Sequence, residues 1–222
     1  MGIMTSSTTL ADLATTHPAA ARVFYRHRLD FCCGGRRPLS DVCTERGLDS
    51  AAVIADIEAE ERLPDDNQRW DVRPLTELVA FIVNTYHRRL RESLPELIRM
   101  ATKVEMRHAD KASCPRGLAA HLIAMHESML EHLAKEEQVL FPLIANGQGR
   151  VAAGPVHVME MEHEEHARAL QTLRRLTTDF APPADACVTW RALYLGLQQL
   201  EEELMLHVHL ENNVLFRRAL IE

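Results

Sequence analysis

The sequence predicts an all-α protein, with a small N-terminal helical domain followed by an antiparallel four-helix bundle. Three observations carry that prediction. The 222 residues are 46% apolar but only 5% aromatic. Leu, Ala, Glu and Arg dominate, and prolines gather between periodic stretches, which is the composition of helices rather than strands. Four long segments keep a helical apolar period and are joined by short loops, so sequence neighbours should run antiparallel. Finally, a ten-residue segment recurs: His132-Leu-Ala-Lys-Glu136-Glu-Gln-Val-Leu-Phe141 returns 75 residues later as His207-Val-His-Leu-Glu211-Asn-Asn-Val-Leu-Phe216. A chain of this length can bury a sizeable core.

Residues 1–62 read as short helices. The first runs from Thr9 to Ala14 after a Ser/Thr run. The second runs from Pro18 through Arg28, with proline in the first turn, where its missing N–H costs little. Cys32-Cys33-Gly34-Gly35 reads as a turn. A third helix spans Pro38 to Arg46 and is ended by Gly47. Asp49 or Ser50 caps a fourth that continues through Glu61. Residues 63–73 are polar and contain a proline, which marks a linker. The bundle occupies residues 74–222. Its helices are expected at about 74–108, with a bend at Pro95, and at about 115–145, ending at Asn146-Gly147. The others fall at about 155–178, before Pro182-Pro183, and at about 185–220.

The formal charge of −7 argues against a nucleic-acid or anionic-membrane surface. No apolar run approaches the roughly 20 residues that span a bilayer. A basic segment followed by an apolar core is missing at the N-terminus, so no secretory signal is read there. Five cysteines without a framework-like spacing fit reduced thiols, and the expected location is cytoplasmic.

The repeat carries the chemistry. On an α-helix, positions i and i+4 lie within about 40° of one another on one face, so His132/Glu136 and His207/Glu211 can each send two ligands to one point. A lone histidine precedes each pair by nearly the same distance: His87 lies 45 residues before His132, and His163 lies 44 before His207. These four histidines and two glutamates read as a two-metal centre in which both glutamates bridge and each metal takes two imidazoles. Mixed imidazole and carboxylate ligation with open positions suits iron, and manganese less well. Structural zinc favours a closed site, usually with thiolates. A carboxylate should orient each imidazole through its far nitrogen, with Glu162, Glu164 and Glu131 as candidates. A core of satisfied polar groups is the bland alternative. It is the weaker reading, because four helices would spend core positions on groups that are costly to bury unpaired.

These residues resemble the hemerythrin-like domain: a histidine from the first helix, His-x3-Glu from the second, a histidine from the third and a further pair from the fourth. Hemerythrin itself carries five histidines and an aspartate. This chain has Ala167 where the fifth histidine would fall and Glu211 in the aspartate's place. The four-His, two-Glu set is instead similar to that of the Repair of Iron Centers (RIC) family of di-iron proteins. Tyr25-Arg-His27-Arg-Leu29-Asp30-Phe31-Cys32-Cys33-Gly34-Gly35 looks like the short cysteine-bearing domain that precedes the bundle in that family. Met159-Glu-Met-Glu162-His163-Glu164 and Cys187-Val-Thr-Trp190 extend the match over almost the whole chain.

The resemblance implies a cytoplasmic protein that repairs iron–sulfur clusters damaged by oxidative or nitrosative stress. It also implies a non-haem, bridged pair of irons held by His87, His132, Glu136, His163, His207 and Glu211. Damaged iron–sulfur proteins would be its partners, nitric oxide or oxygen its small ligand, and its electron donor is unidentified; a homodimer is allowed but not required. Whether the protein is an enzyme stays open. Reduction of nitric oxide at the iron pair and donation of labile iron through the cysteine domain both fit, and the rival is an oxygen or nitric oxide binding module without turnover.

Cys32 and Cys33 are the catalytic candidates. Adjacent Cα atoms are about 3.8 Å apart, below the usual disulfide range, so a bond between the two would be strained. Arg28, Arg36 and Arg37 nearby should lower the thiol pKa, and the glycines should keep the sulfurs accessible. Cys43, Cys114 and Cys187 read as buried or incidental thiols. His17, His27, His108, His157 and His166 read as surface or cap residues, and Glu201-Glu202-Glu203 as a solvated face. Leu206 and Val208 flank His207, which therefore has no polar neighbour beside it in sequence. His209 should point away from His207.

Overall fold

The computed structural model describes residues 4–62 and 69–222, and among these there is no strand; Thr9 and Pro38 form an isolated antiparallel bridge. Four short helices come first: α1 (Leu10–Thr16), α2 (Ala19–Arg26), α3 (Leu39–Arg46) and α4 (Ser50–Glu60). Their ends follow local chemistry. Thr9 accepts from the Asp12 N–H, Asp49 accepts from the Ala51 N–H, and Gly47 closes α3 at φ 66°. Leu10, Leu13, Val23, Phe24, Leu39, Val53 and Ile57 bury one core between these helices. The linker expected at 63–73 lies partly outside the described residues, over 63–68. Its end is packed: Trp70, in the 3₁₀ turn Trp70–Val72, is buried with its ring 4.5 Å from Phe81 and the Arg73 guanidinium 4.9 Å above it.

The four long helices follow, and three of them change pitch partway. The first is α5 (Leu75–Ile82), a π-helical turn π1 (Val83–His87) and α6 (Arg88–Arg107). The second is α7 (Leu118–Lys135), π2 (Glu136–Leu140) and α8 (Phe141–Ala145). The third, α9 (Ala153–Leu176), has no such break. The fourth is α10 (Val188–His209), π3 (Leu210–Leu215) and α11 (Phe216–Ala219). Helix α6 packs on α7 and α10, and α7 on α9, giving the expected bundle. Pro95 lies inside α6; the helix is continuous there, and its regular pitch is broken upstream instead, at π1.

Two apolar clusters divide the bundle along its length. Leu90, Leu94, Leu133, Trp190, Leu204 and Val208 belong to one, and Ile82, Leu140, Phe141, Met159, Val214 and Phe216 to the other. On every helix the residues singled out as ligands fall between them. Each apolar side chain fully buried contributes about 1.5–3 kcal/mol, so the two clusters clamp a polar layer that would not hold itself together.

Candidate metal centre

All six expected ligands converge in that layer, and all six are buried. They form two groups whose ligand atoms lie within 4.8 Å of one another: His87, Glu136, His207 and Glu211, and His132, Glu136, His163 and Glu211. Both glutamates belong to both groups. Three of the six lie in the π-helical turns: His87 ends π1, Glu136 begins π2 and Glu211 lies in π3. A π turn inserts one residue into an α-helix and shifts every later side chain around the axis, and such turns recur at functional sites. Nothing in the sequence signalled them.

The imidazole nitrogens show what the layer is built for. His87 Nδ1 donates to Glu137 Oε1 at 2.7 Å, and His132 Nδ1 donates to Glu162 Oε2 at 2.8 Å. His163 Nδ1 donates to Asn212 Oδ1 at 2.8 Å. A donor at Nδ1 leaves a lone pair at Nε2 in the neutral ring. Yet His132 Nε2 and His163 Nε2 face each other at 3.0 Å, and His87 Nε2 and His207 Nε2 at 3.1 Å. Both oxygens of Glu136 and Oε2 of Glu211 are buried without a hydrogen-bond partner. The opposed lone pairs of His132 and His163 and the orphaned carboxylate oxygens repel one another and are costly to bury. A cation in each group satisfies all of them at once, so the residues fit a metal.

Without a cation the layer pulls its own charges apart. Burial and the neighbouring Glu211 push the Glu136 carboxyl up to about 7. Burial would also raise Glu211, but the surrounding His207, His163 and His87 hold it well below the usual carboxylate range. Burial lowers His87, and the carboxylates of Glu136 and Glu211, 3.4 and 3.7 Å from its Nε2, outweigh this and carry it up to about 10. The same opposition takes His163 to about 9, while burial and the adjacent His163 push His132 down to about 2.

The thiol loop docks against this layer. Asn212 Nδ2 donates to the Cys32 carbonyl at 3.4 Å, and Asn213 Nδ2 donates to the carbonyls of Phe31 and Cys32 at 3.2 and 3.0 Å. Cys33 Sγ lies 3.7 Å from the His163 carbonyl oxygen and 3.8 Å from Cys32 Sγ. Gly35 lets the loop fold back, since a Cβ there would collide with the Phe31 carbonyl. The expected electropositive setting is not what the fold builds. Arg28 pairs with Asp179, Arg36 with Glu160 and Arg37 with Glu45. The Cys32 thiol instead donates to Asp30, and its bond to Cys33, its burial and Asp30 hold its pKa well above the ordinary range.

A cleft of about 280 Å³ lies between the loop and the bundle, with Cys32, Cys33, His163, His166, Arg174 and Glu201 in its walls. His166, expected at the surface, is buried with its ring 4.9 Å from His132 and its Nε2 unpartnered. His17 is buried too, against Glu61 at 2.7 Å. Glu201 is no solvated residue: it is buried, paired with Arg174, and accepts from the Tyr25 hydroxyl at 3.0 Å. At the rim, Thr178, Asp179 and Phe180 all adopt positive φ, as does Arg28, which reaches Asp179 at 2.9 Å. Such a conformation costs a non-glycine residue roughly 1–2 kcal/mol, and here it is spent where the two regions meet.

Of the three carboxylates proposed to orient imidazoles, Glu162 does so; Glu131 and Glu164 are exposed. Glu137 and Asn212 were missed, although each immediately follows a repeat glutamate. His207 Nδ1 has no partner, in line with its apolar neighbours in sequence. His209 turns away to pack on the Phe31 ring at 5.5 Å.

Four helices that bring two His-x3-Glu pairs and two lone histidines to adjoining cation positions define a metal-binding bundle of the hemerythrin type. Residues 79–219 match the hemerythrin HHE cation binding domain, and residues 6–61 match ScdA_N, a domain of unknown function (DUF542). The iron–sulfur cluster repair protein YtfE of Yersinia pseudotuberculosis serotype O:1b (strain IP 31758) is 48% identical over 211 residues, covering 95% of this chain and 96% of that protein. The YtfE protein of Yersinia pestis (strain Pestoides F) is 47% identical over the same shares. The chain belongs to this family of hemerythrin-domain iron–sulfur cluster repair proteins. Among the described residues no helix is long and apolar enough to cross a membrane.

Proposed function

We propose that His87, His132, Glu136, His163, His207 and Glu211 hold two iron ions, both glutamates bridging, and that the protein uses this centre to repair iron–sulfur clusters damaged by oxidative or nitrosative stress. The observation that carries the reading is the sharing of Glu136 and Glu211 by two adjoining four-residue groups. The relatives' name, iron–sulfur cluster repair protein, supports the same reading. Damaged iron–sulfur proteins in the cytoplasm are then the clients. Iron at this site supplies one-electron chemistry toward nitric oxide or oxygen and a metal that can be given up.

The chain's own residues prepare that chemistry. Glu137, Glu162 and Asn212 fix three imidazoles with Nε2 turned inward. The two apolar clusters exclude water from the layer on either side. The cleft beside Cys33 and His166 is the approach for a small ligand. Cys32 and Cys33 share the wall of that cleft with His163, where a thiol can take part in transfer without ligating the buried pair. We treat residues 1–62 as the thiol-bearing domain, 63–73 as its linker and 74–222 as the metal bundle.

A test is to reduce the iron-loaded protein, add nitric oxide, and in parallel offer it an enzyme whose cluster has been damaged. Formation of nitrous oxide or recovery of the enzyme supports repair. If neither occurs while nitric oxide still binds, the protein is a binding or sensing module without turnover.

A further inference from the structure

The two halves of the bundle follow one plan. In each, the residue after the shared glutamate accepts from the lone histidine of another helix: Glu137 from His87 and Asn212 from His163. In each, the residue before the lone histidine meets the other imidazole of the same group. Glu162, before His163, accepts from His132 Nδ1 at 2.8 Å. Tyr86, before His87, cannot do the same for His207. It lays its ring flat on the imidazole instead, 5.4 Å between centroids and 11° between planes. His207 Nδ1 is left buried and without a partner.

The other supports balance. Arg91 bonds Glu137 at 2.9 Å, and Lys135 bonds Glu162, so each orienting carboxylate carries one cation. Asn212 is neutral, but its amide is pinned by the Cys32 carbonyl, which only accepts, so its oxygen must face His163. Three imidazoles are therefore held at Nδ1 by an outer partner, and His207 is not. A missing outer partner typically lowers metal affinity by about 10–100-fold.

We infer that the two irons are unequal, that the one held by His87 and His207 is the labile one, and that position 86 creates the difference. Tyr86 and Glu162 are positioning residues that act through His207 and His132. The inference rests on the functional reading above and names which iron would be given up first.

The test is release of iron from the reduced, two-iron protein to an excess of ferrozine, followed by absorbance. Two phases of one iron each are expected, with rates about 10-fold or more apart. Glu162→Ala should accelerate the slow phase toward the fast one, and Glu162→Gln, which keeps an acceptor, should largely preserve it. Tyr86→Glu, which offers His207 an acceptor, should slow the fast phase. A single phase, or acceleration of the fast phase by Glu162→Ala, overturns the inference while leaving the iron pair intact. A protein that never binds an iron pair overturns the functional reading, and this inference with it.

Discussion

The metal layer and the thiol loop sit within hydrogen-bond reach of each other, yet they are built in opposite ways. The layer is carried by helices, with ligands four apart on one face and apolar residues above and below. The loop is carried by two glycines and by bonds from Asn212 and Asn213, and its chemistry is decided by residues distant in sequence. A site set by helical spacing survives translation from sequence to structure. A site set by which neighbour a flexible side chain chooses does not.

If this contrast is right, the largest effect should come from inside the layer. Glu211→Gln removes a group shared by both cation positions and should cost more than about 100-fold in metal affinity, beyond the loss of an outer partner; elemental analysis would show both ions depleted. His163→Ala should chiefly deplete its own group, and an unchanged count in either variant would mean the ligands are misassigned.

Asn212→Ala tests the seam between the regions. It frees His163 Nδ1 and removes one of the two amides on the Cys32 carbonyl, leaving Asn213, so metal affinity should fall about 10–100-fold while Cys33 becomes quicker to react with a thiol reagent. If only one of the two changes, the regions are independent.

Replacing Cys32 and Cys33 by serine should leave the iron content unchanged and impair reactivation of a damaged cluster enzyme. Loss of iron in that variant would make the thiols ligands and erase the distinction drawn here. The smallest effect concerns pH. The hydrogen bond to Cys33, burial and Asp30 raise the Cys32 pKa, so its thiol stays protonated through the range, near about pH 8.5, where free thiols ionise. Alkylation at Cys32, followed by mass spectrometry, should therefore begin only at more alkaline pH. Labelling at neutral pH as fast as a free cysteine would contradict this.

The same contrast explains how much was legible beforehand. The helical class, the bundle and the convergence of His87, His132, Glu136, His163, His207 and Glu211 follow from periodicity and spacing, which depend on local geometry alone. Glu162 was within reach because it adjoins a ligand. Glu137 and Asn212 adjoin ligands too, but they serve imidazoles 50 and 49 residues away, and the π turns that aim them leave no compositional trace. Arg28, Arg36 and Arg37 lie near the cysteines in sequence, yet each found a carboxylate elsewhere. His166 and Glu201 looked polar and therefore external; one packs against the His132 ring and the other pairs with Arg174 and Tyr25, contacts that no local pattern encodes.

The central claim is a pair of irons sharing two glutamates. Iron analysis combined with Mössbauer spectroscopy of the purified protein tests it most directly. The account predicts about two irons per chain, magnetically coupled through shared carboxylates, as in carboxylate-bridged bundles. A chain that binds no iron, or holds a single uncoupled ion, would contradict it.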